Sequence, residues 1–501
     1  MRRRDASTAS ARNGVAVALR AALCATLVVA LAPAAVSQGA KPFAMPVTVS
    51  IDETRPGTAV RQEFLGLSFE LSSLAQIASY GEGGDLVTLL RSLGRGVLRF
   101  GGVSADTRVA WTDAATPRPA WASSVIEASE LRQLGTLAAR SGWHVLLTIG
   151  LGHFEPEAAA REAAAAKAAL GPWLEGIELG NEPNAYALHG LRSEPWTFVQ
   201  YDEQVAAYRS AIETAAPGIA LAGPDVSGSS AFDSWGVGEV VDQTPALLTG
   251  HHYPLGCEQT PAPTIARLLS PQIRRLEVSS LERYMSVANA SELPFRLDET
   301  NTVSCGGLEG ISDTFASALW ATGYETENMS LGVSGINLQG NPANCGGYTP
   351  VCAPTAQALA AGALQAQPEW YALLLAKALI GDRPLPSSTS SPGKPNLEVT
   401  ALRAGDGALQ FVIVDDDPLG ARGVAVRLRV GRGFQGASIL SLTAPSPDAL
   451  SGVELGGRTV TSAGSWSEPP RLPHAANRDG VITVQIAPSS AALLTVSEVA
   501  G

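Results

Sequence analysis

Apolar residues along the chain recur in two rhythms, and the rhythm changes once. From Glu63 to about Ile380, short apolar runs alternate with longer stretches whose apolar positions return every three or four residues. EFLGLSFEL precedes DLVTLLRSLG, GVLRFGG precedes SELRQLGTLAARSG, HVLLTIGLG precedes EPEAAAREAAAAKAALG, and LEGIELGNE precedes TFVQYDEQVAAYRSAIETAAPG. IALAGPD, ALLTGHHY, LPFRLDETN and VSGINLQG continue the pattern, with helical stretches around Val237, Thr264 to Ala290 and Thr314 to Asn328, and PEWYALLLAKALIG closes it. Short apolar runs read as strands buried on both faces, and the longer period reads as amphipathic helices. Eight such units predict an α/β fold, a (β/α)8 barrel over residues 61–381, with a doubly wound open sheet as the alternative.

Past Ile380 the helical period disappears. GDRPLPSSTSSPGKPN, rich in proline and serine, predicts a linker over residues 382–394 that is neither helix nor strand. LEVTALRAG, ALQFVIVDDD, GVAVRLRVG, GASILSLTAP, RTVTSAG, GVITVQIAP and AALLTVSEV then alternate apolar and polar positions between turn signals, predicting a β-sandwich over residues 395–501. PVTVSIDET, within residues 46–60, has strand patterning but no helix of its own and is expected to pair into that sandwich. Asp415 to Asp417 reads as a solvated turn.

The N-terminus changes the picture of where the chain works. Arg2, Arg3 and Arg4, an apolar run from Ala21 to Ala32, and small residues at Ala35 to Ser37 predict an export signal over residues 1–37, with an uncleaved anchor as the alternative. That segment carries five arginines and one aspartate, so its removal moves the net charge from -12 to -16. An acidic mature chain argues against nucleic acid or an anionic membrane as partner. Cys24 leaves with the signal, and an even set in an exported protein implies disulfides with three possible pairings. Cys345 with Cys352, across a short loop, and Cys257 with Cys305, each after a strand end, are the expected pairs.

A barrel of this kind works at the C-terminal ends of its strands, so the residues that end each apolar run are the candidates. Strand one ends near Glu70, strand two at Arg99, strand four at Asn181 and Glu182, strand six at His251, His252 and Tyr253, and strand seven at Asp298, Glu299 and Asn301. Glu182 and Glu299 stand on opposite sides of such a mouth. Two carboxyls flanking a bond are what glycoside hydrolysis requires, one to protonate the leaving oxygen and one to attack or steady an oxocarbenium-like centre. Cys305, Gly306 and Gly307 after strand seven would expose unobstructed amides, an anion site suited to a sugar carboxylate, or else form an ordinary turn. Arg99 is read either as a charge beneath Glu299 or as a structural ion pair. His251 and His252 lack a third ligand at metal-site spacing and are read as hydrogen-bonding rim residues.

LGLSFEL, LRFGGVSAD, IELGNEPNAY, GHHYPLGC, RLDETNTVSCGG and GISDTFASALWATGY resemble segments of family 79 glycoside hydrolases, the retaining β-glucuronidase and heparanase family of the (β/α)8 glycosidase clan. The resemblance implies that Glu182 is the acid/base and Glu299 the nucleophile. It also implies that Asn181 holds the sugar 2-hydroxyl and that Tyr253 restrains the nucleophile. Gly306, Gly307 and Tyr348 would grip a uronate carboxylate, and Glu70 and Ser104 would contact its far hydroxyls; His252 joins Arg99 as a supporting residue. The expectation is an exported, secreted or periplasmic, retaining exo-β-glucuronidase acting on terminal glucuronate, 4-O-methylated or not, as a monomer without cofactor or metal. The acidic chain favours exo action over cleavage within sulfated chains. The alternatives are a retaining enzyme for a neutral sugar and a non-catalytic glycan-binding relative.

Overall fold

In the computed structural model, which describes residues 44–499, eight parallel strands close into a barrel, so the open-sheet alternative is excluded. The strands are β1 (Leu65–Glu70), β2 (Val97–Gly101), β3 (His144–Ile149), β4 (Leu174–Leu179), β5 (Leu221–Ser227), β6 (Leu247–His252), β7 (Phe295–Thr300) and β8 (Gly335–Gly340). The last pairs in register with the first, Leu338 opposite Leu67, which removes every free edge. Helices follow the strands where the local chemistry starts them. In the helix Pro271–Ser291, for example, the Ser270 hydroxyl accepts the Ile273 amide at 3.3 Å and Pro271 takes the first position, where no N–H is needed. The expected export signal lies outside the described residues.

The second part is a sandwich of two sheets. One orders Arg383–Leu385, Leu397–Arg403, Leu409–Asp415, Ser490–Glu498, Phe434–Thr443 and Glu454–Leu455, with Pro473–Ala476 added beside Phe434–Thr443. The other orders Ser387–Ser390, Met45–Ile51, Val424–Arg429 and Val481–Ile486, so the N-terminal strand does belong to the sandwich. Val49, Phe411, Val426, Val484 and Leu494 pack between the sheets. The opposite face of the larger sheet, with Val412, Leu440 and Leu493, joins the barrel core around Trp370. That sheet is therefore apolar on both faces.

Three sequence expectations fail here. The stretch expected as a linker contains the strands Arg383–Leu385 and Ser387–Ser390; both lie at sheet edges, where Pro384 and wholly exposed serines cost nothing in unmade pairing. RTVTSAG is not a strand, because Thr461 and Ser465 close a turn and the Val460 amide donates to the Tyr371 hydroxyl instead. Asp415 and Asp416 are buried rather than solvated, and Asp416 accepts from Arg274 of the barrel at 2.8 Å.

Candidate active site

Beyond β4, Gly180 and Asn181 lead to Glu182, whose backbone sits in the left-handed region at φ 50°. A non-glycine residue there is strained by about 1–2 kcal/mol and needs outside support. The Glu182 amide finds it in the Asp225 carbonyl, at 2.9 Å, and Pro183 ends pairing because it has no N–H. Strands β5 and β7 each carry a bulge on the side facing β6, with Asp225 and Asp298 as the extra residues. Bulges re-aim side chains, and here both aspartates converge on Arg99 of β2 while Glu299 reaches the mouth. One carboxylate oxygen of Glu182 and one of Glu299 lie within 4.8 Å of each other. They open on a cleft of ≈ 690 Å³ that also exposes Glu70, Asn181, Tyr253 and Tyr348.

Arg99 is fully buried and holds the floor of the cleft together. It donates to Glu299 Oε2 at 2.6 Å, Asp225 Oδ2 at 2.8 Å, Glu178 Oε2 at 3.0 Å and Asn181 Oδ1 at 3.0 Å. The last contact leaves the Asn181 amide nitrogen as that side chain's donor. Tyr253 donates to the other Glu299 oxygen at 2.9 Å, so each oxygen of Glu299 is held by a different group. His251 lies 3.0 Å from Glu182 Oε1 through Nδ1 and 2.7 Å from Asp225 Oδ1 through Nε2.

These contacts set the protonation pattern. Burial opposes charge on His251, but the Asp225, Glu299 and Asp298 carboxylates hold its proton well above the usual imidazole range. Burial pushes Glu182 up, yet the His251 hydrogen bond and charge outweigh it and leave the carboxyl below the ordinary glutamate range. Burial and the Asp225 charge raise Glu178 and Asp298 above the ordinary carboxylate range. Burial also opposes charge on Asp225, but Arg99 and His251 keep it ionised. Two groups, Glu182 with His251 and Glu299, and Asp225 with His251 and Asp298, are close enough to share a metal ion. Both include His251, whose two ring nitrogens are already engaged by Glu182 and Asp225.

The remaining expected residues divide. Cys305, Gly306 and Gly307 have φ of 64°, 93° and 85°, and both expected disulfides, Cys257–Cys305 and Cys345–Cys352, are formed. Cys305 and Gly306 line the cleft, and the Gly306 carbonyl accepts the Tyr348 amide at 3.2 Å. Gly307 does not line it; a Cβ there would stand 2.2 Å from the Tyr348 nitrogen, so its role is close packing of two loops. The Tyr348 hydroxyl lies 3.4 Å from that of Tyr253. Glu70 is on the wall, raised by burial and by the nearby Glu299 charge, whereas Ser104 sits behind it, donating to Glu70 and accepting the Ser72 amide. His252 touches neither catalytic candidate: its Nε2 has no hydrogen-bond partner among the described residues, and burial pushes it down to about 4. Both histidines line the cleft, and His251 is the one that contacts Glu182. Sequence reasoning also missed Asp106, which accepts the amides of Leu151, Gly152 and Asn181 and the Tyr186 hydroxyl, tying three strand-end loops together.

No protein-family model matches the chain. It is 24% identical over 347 residues to a β-glucuronidase of Neurospora crassa, covering 58% of this chain and 59% of that protein. The chain thus spans about three fifths of the length of the curated relative it matches. Among solved structures, a 4-O-α-L-rhamnosyl-β-D-glucuronidase from Fusarium oxysporum 12S matches over 90% of this chain and 99% of its own, at 18% identity and a TM-score of 0.71. A GH51 arabinofuranosidase from Xanthomonas axonopodis pv. citri matches over 90% and 100%, at 14% identity and a TM-score of 0.66. The fold, barrel and sandwich together, is one that glycoside hydrolases share.

Proposed function

We propose that the chain is an exported retaining exo-β-glucuronidase of the family 79 type, hydrolysing a terminal β-linked glucuronate by double displacement. The observation that carries this reading is the pair of carboxylates with oxygens within 4.8 Å. Retaining glycosidases hold their carboxyls about 5–5.5 Å apart, whereas inverting ones leave about 6.5–9.5 Å for a water. Glu299, oriented by Arg99 and Tyr253, attacks the anomeric carbon as the bond to the leaving oxygen breaks. Glu182 gives that oxygen its proton, and the Asn181 amide nitrogen is placed to hold the 2-hydroxyl. Glycosylation removes the negative charge of Glu299, which favours the ionised form of Glu182. That carboxylate then takes a proton from the water that attacks the glycosyl–enzyme, releasing glucuronate with its configuration kept. The left-handed Cys305–Gly306 turn and the Tyr348 hydroxyl are placed to bind the sugar carboxylate. The names of the Neurospora and Fusarium relatives support glucuronate as the sugar.

Parallel assays on nitrophenyl β-glucuronide, β-glucoside, β-xyloside and α-arabinofuranoside test the substrate. The glucuronide is expected to exceed the neutral glycosides in kcat/KM by about 100-fold or more, since a site built for a carboxylate leaves donors unpaired without one. Turnover of a neutral glycoside alone would sink the uronidase reading.

Two further results are expected. The acid must be protonated to act, and His251 depresses Glu182, so kcat/KM for alkyl glucuronides falls as pH rises through a pKa below the ordinary glutamate range. His251→Asn removes that cation and moves the falling limb to higher pH; an unmoved limb would contradict the role given to His251. Gly307→Ala forces its methyl against the Tyr348 backbone and displaces the loop. Steady-state kinetics should show KM for the glucuronide raised about tenfold, with kcat much less affected.

A further inference from the structure

The four-stranded sheet buries one face against the larger sheet and turns the other away from the barrel. Strand alternation and the pairing registers identify which side chains share that outer face. Val424, Val426 and Leu428 point inward, so Arg427 and Arg429 point outward. Arg427 stands between Thr48 and Thr483, and Arg429 between Ser50 and Val481; Thr48 and Ser50 in turn face Ser390 and Ser388. Five small hydroxyl side chains thus surround the two arginines, Val481 lies beside Arg429, Pro46, Ala425 and Gln485 complete the face, and no strand position that shares it carries a carboxylate or an aromatic ring.

Both arginines are exposed, and neither joins an ion pair with another described residue. Two residues apart on one strand, they sit about 7 Å from each other. The chain has 35 basic and 47 acidic side chains, so a sheet face with two arginines and no carboxylate on its strand positions runs against the overall charge balance.

We propose that this face is a second glycan site, docking an extended polysaccharide that bears uronate carboxylates. Guanidinium forks match carboxylates bidentately, and the flanking hydroxyls suit sugar hydroxyls. Neutral glycans would call for an aromatic platform, which these strands do not offer on this side. A nucleic acid, with its dense phosphates, would need more than two cations. The inference does not rest on the activity of the cleft, which it shares only in ligand chemistry.

Affinity electrophoresis of the full chain in gels containing glucuronoxylan tests it, with Glu299→Gln present so that the glycan stays intact. Glu299→Gln protein is expected to be retarded, and adding Arg427→Gln and Arg429→Gln should weaken the affinity about tenfold or more. In the wild-type background the two arginine substitutions should leave nitrophenyl glucuronide turnover unchanged. Equal retardation with and without the arginines, equal retardation in carboxyl-reduced glucuronoxylan, or retardation by DNA as strong as by the glycan would each overturn it. Arginine-dependent retardation in a protein that hydrolyses no glucuronide would support the docking site and count against the cleft's proposed function alone.

Discussion

Glu299→Gln is expected to lower kcat for nitrophenyl β-glucuronide by about 10⁴–10⁶-fold, the scale on which loss of a catalytic nucleophile is felt. The amide keeps the shape and volume of the glutamate but cannot form the glycosyl–enzyme. Folding should survive, because the groups left beside Arg99 still satisfy it: Asp225 carries its countercharge, and Glu178 and Asn181 accept from its remaining donors. Arg99→Ala would be a poor substitute test. It would strand Asp225 and three other carboxyls in a buried site, which costs stability as well as activity. A Glu299→Gln protein that melts normally yet keeps more than about 1% of the wild-type rate would remove Glu299 from the nucleophile's role.

Glu182→Ala should behave differently with different leaving groups. Dinitrophenolate departs without a proton, so its glucuronide should form the glycosyl–enzyme at nearly the wild-type rate. An alkyl glucuronide, which needs the proton, should slow by about 10²–10⁴-fold. Loss of the base also slows water attack, so added azide should speed turnover of the activated substrate and yield β-glucuronyl azide. Equal losses on both substrates, with no response to azide, would deny Glu182 the acid/base role. His251 sharpens the test, since its contact with Glu182 Oε1 vanishes in the variant while that to Asp225 remains.

How far the fold was legible depended on whether each element announced itself in apolar periodicity. The barrel did, because every strand is buried on both faces and every helix has an apolar side. Ser387–Ser390 did not, since an exposed edge strand of four polar residues has no apolar alternation to read. RTVTSAG misled in the opposite way: its alternation is real, but Val460 spends its amide on Tyr371, far away in sequence.

The site shows the same division. Strand ends revealed Glu182, Glu299, Asn181 and Tyr253, because polar groups that terminate apolar runs stand out. Glu178 within IELG and Asp225 within GPDVS were passed over, although a charge inside an otherwise apolar barrel strand is costly without a buried partner, and Arg99 was already in view. The choice between His251 and His252 was also open to inspection. Side chains alternate along a strand, so the histidine sharing Tyr253's face is the one two residues before it. Gly306 and Gly307 could not be told apart without coordinates, because only the approach of Tyr348 separates a cleft residue from a packing one.

Trapping the intermediate bears most directly on the double-displacement mechanism. Incubation with 2-deoxy-2-fluoro-β-glucuronyl fluoride, followed by peptide mass spectrometry, should find the fluoroglucuronyl group esterified to Glu299 in the segment RLDETN. Label on another residue, or none in a protein that turns over glucuronides, would contradict it.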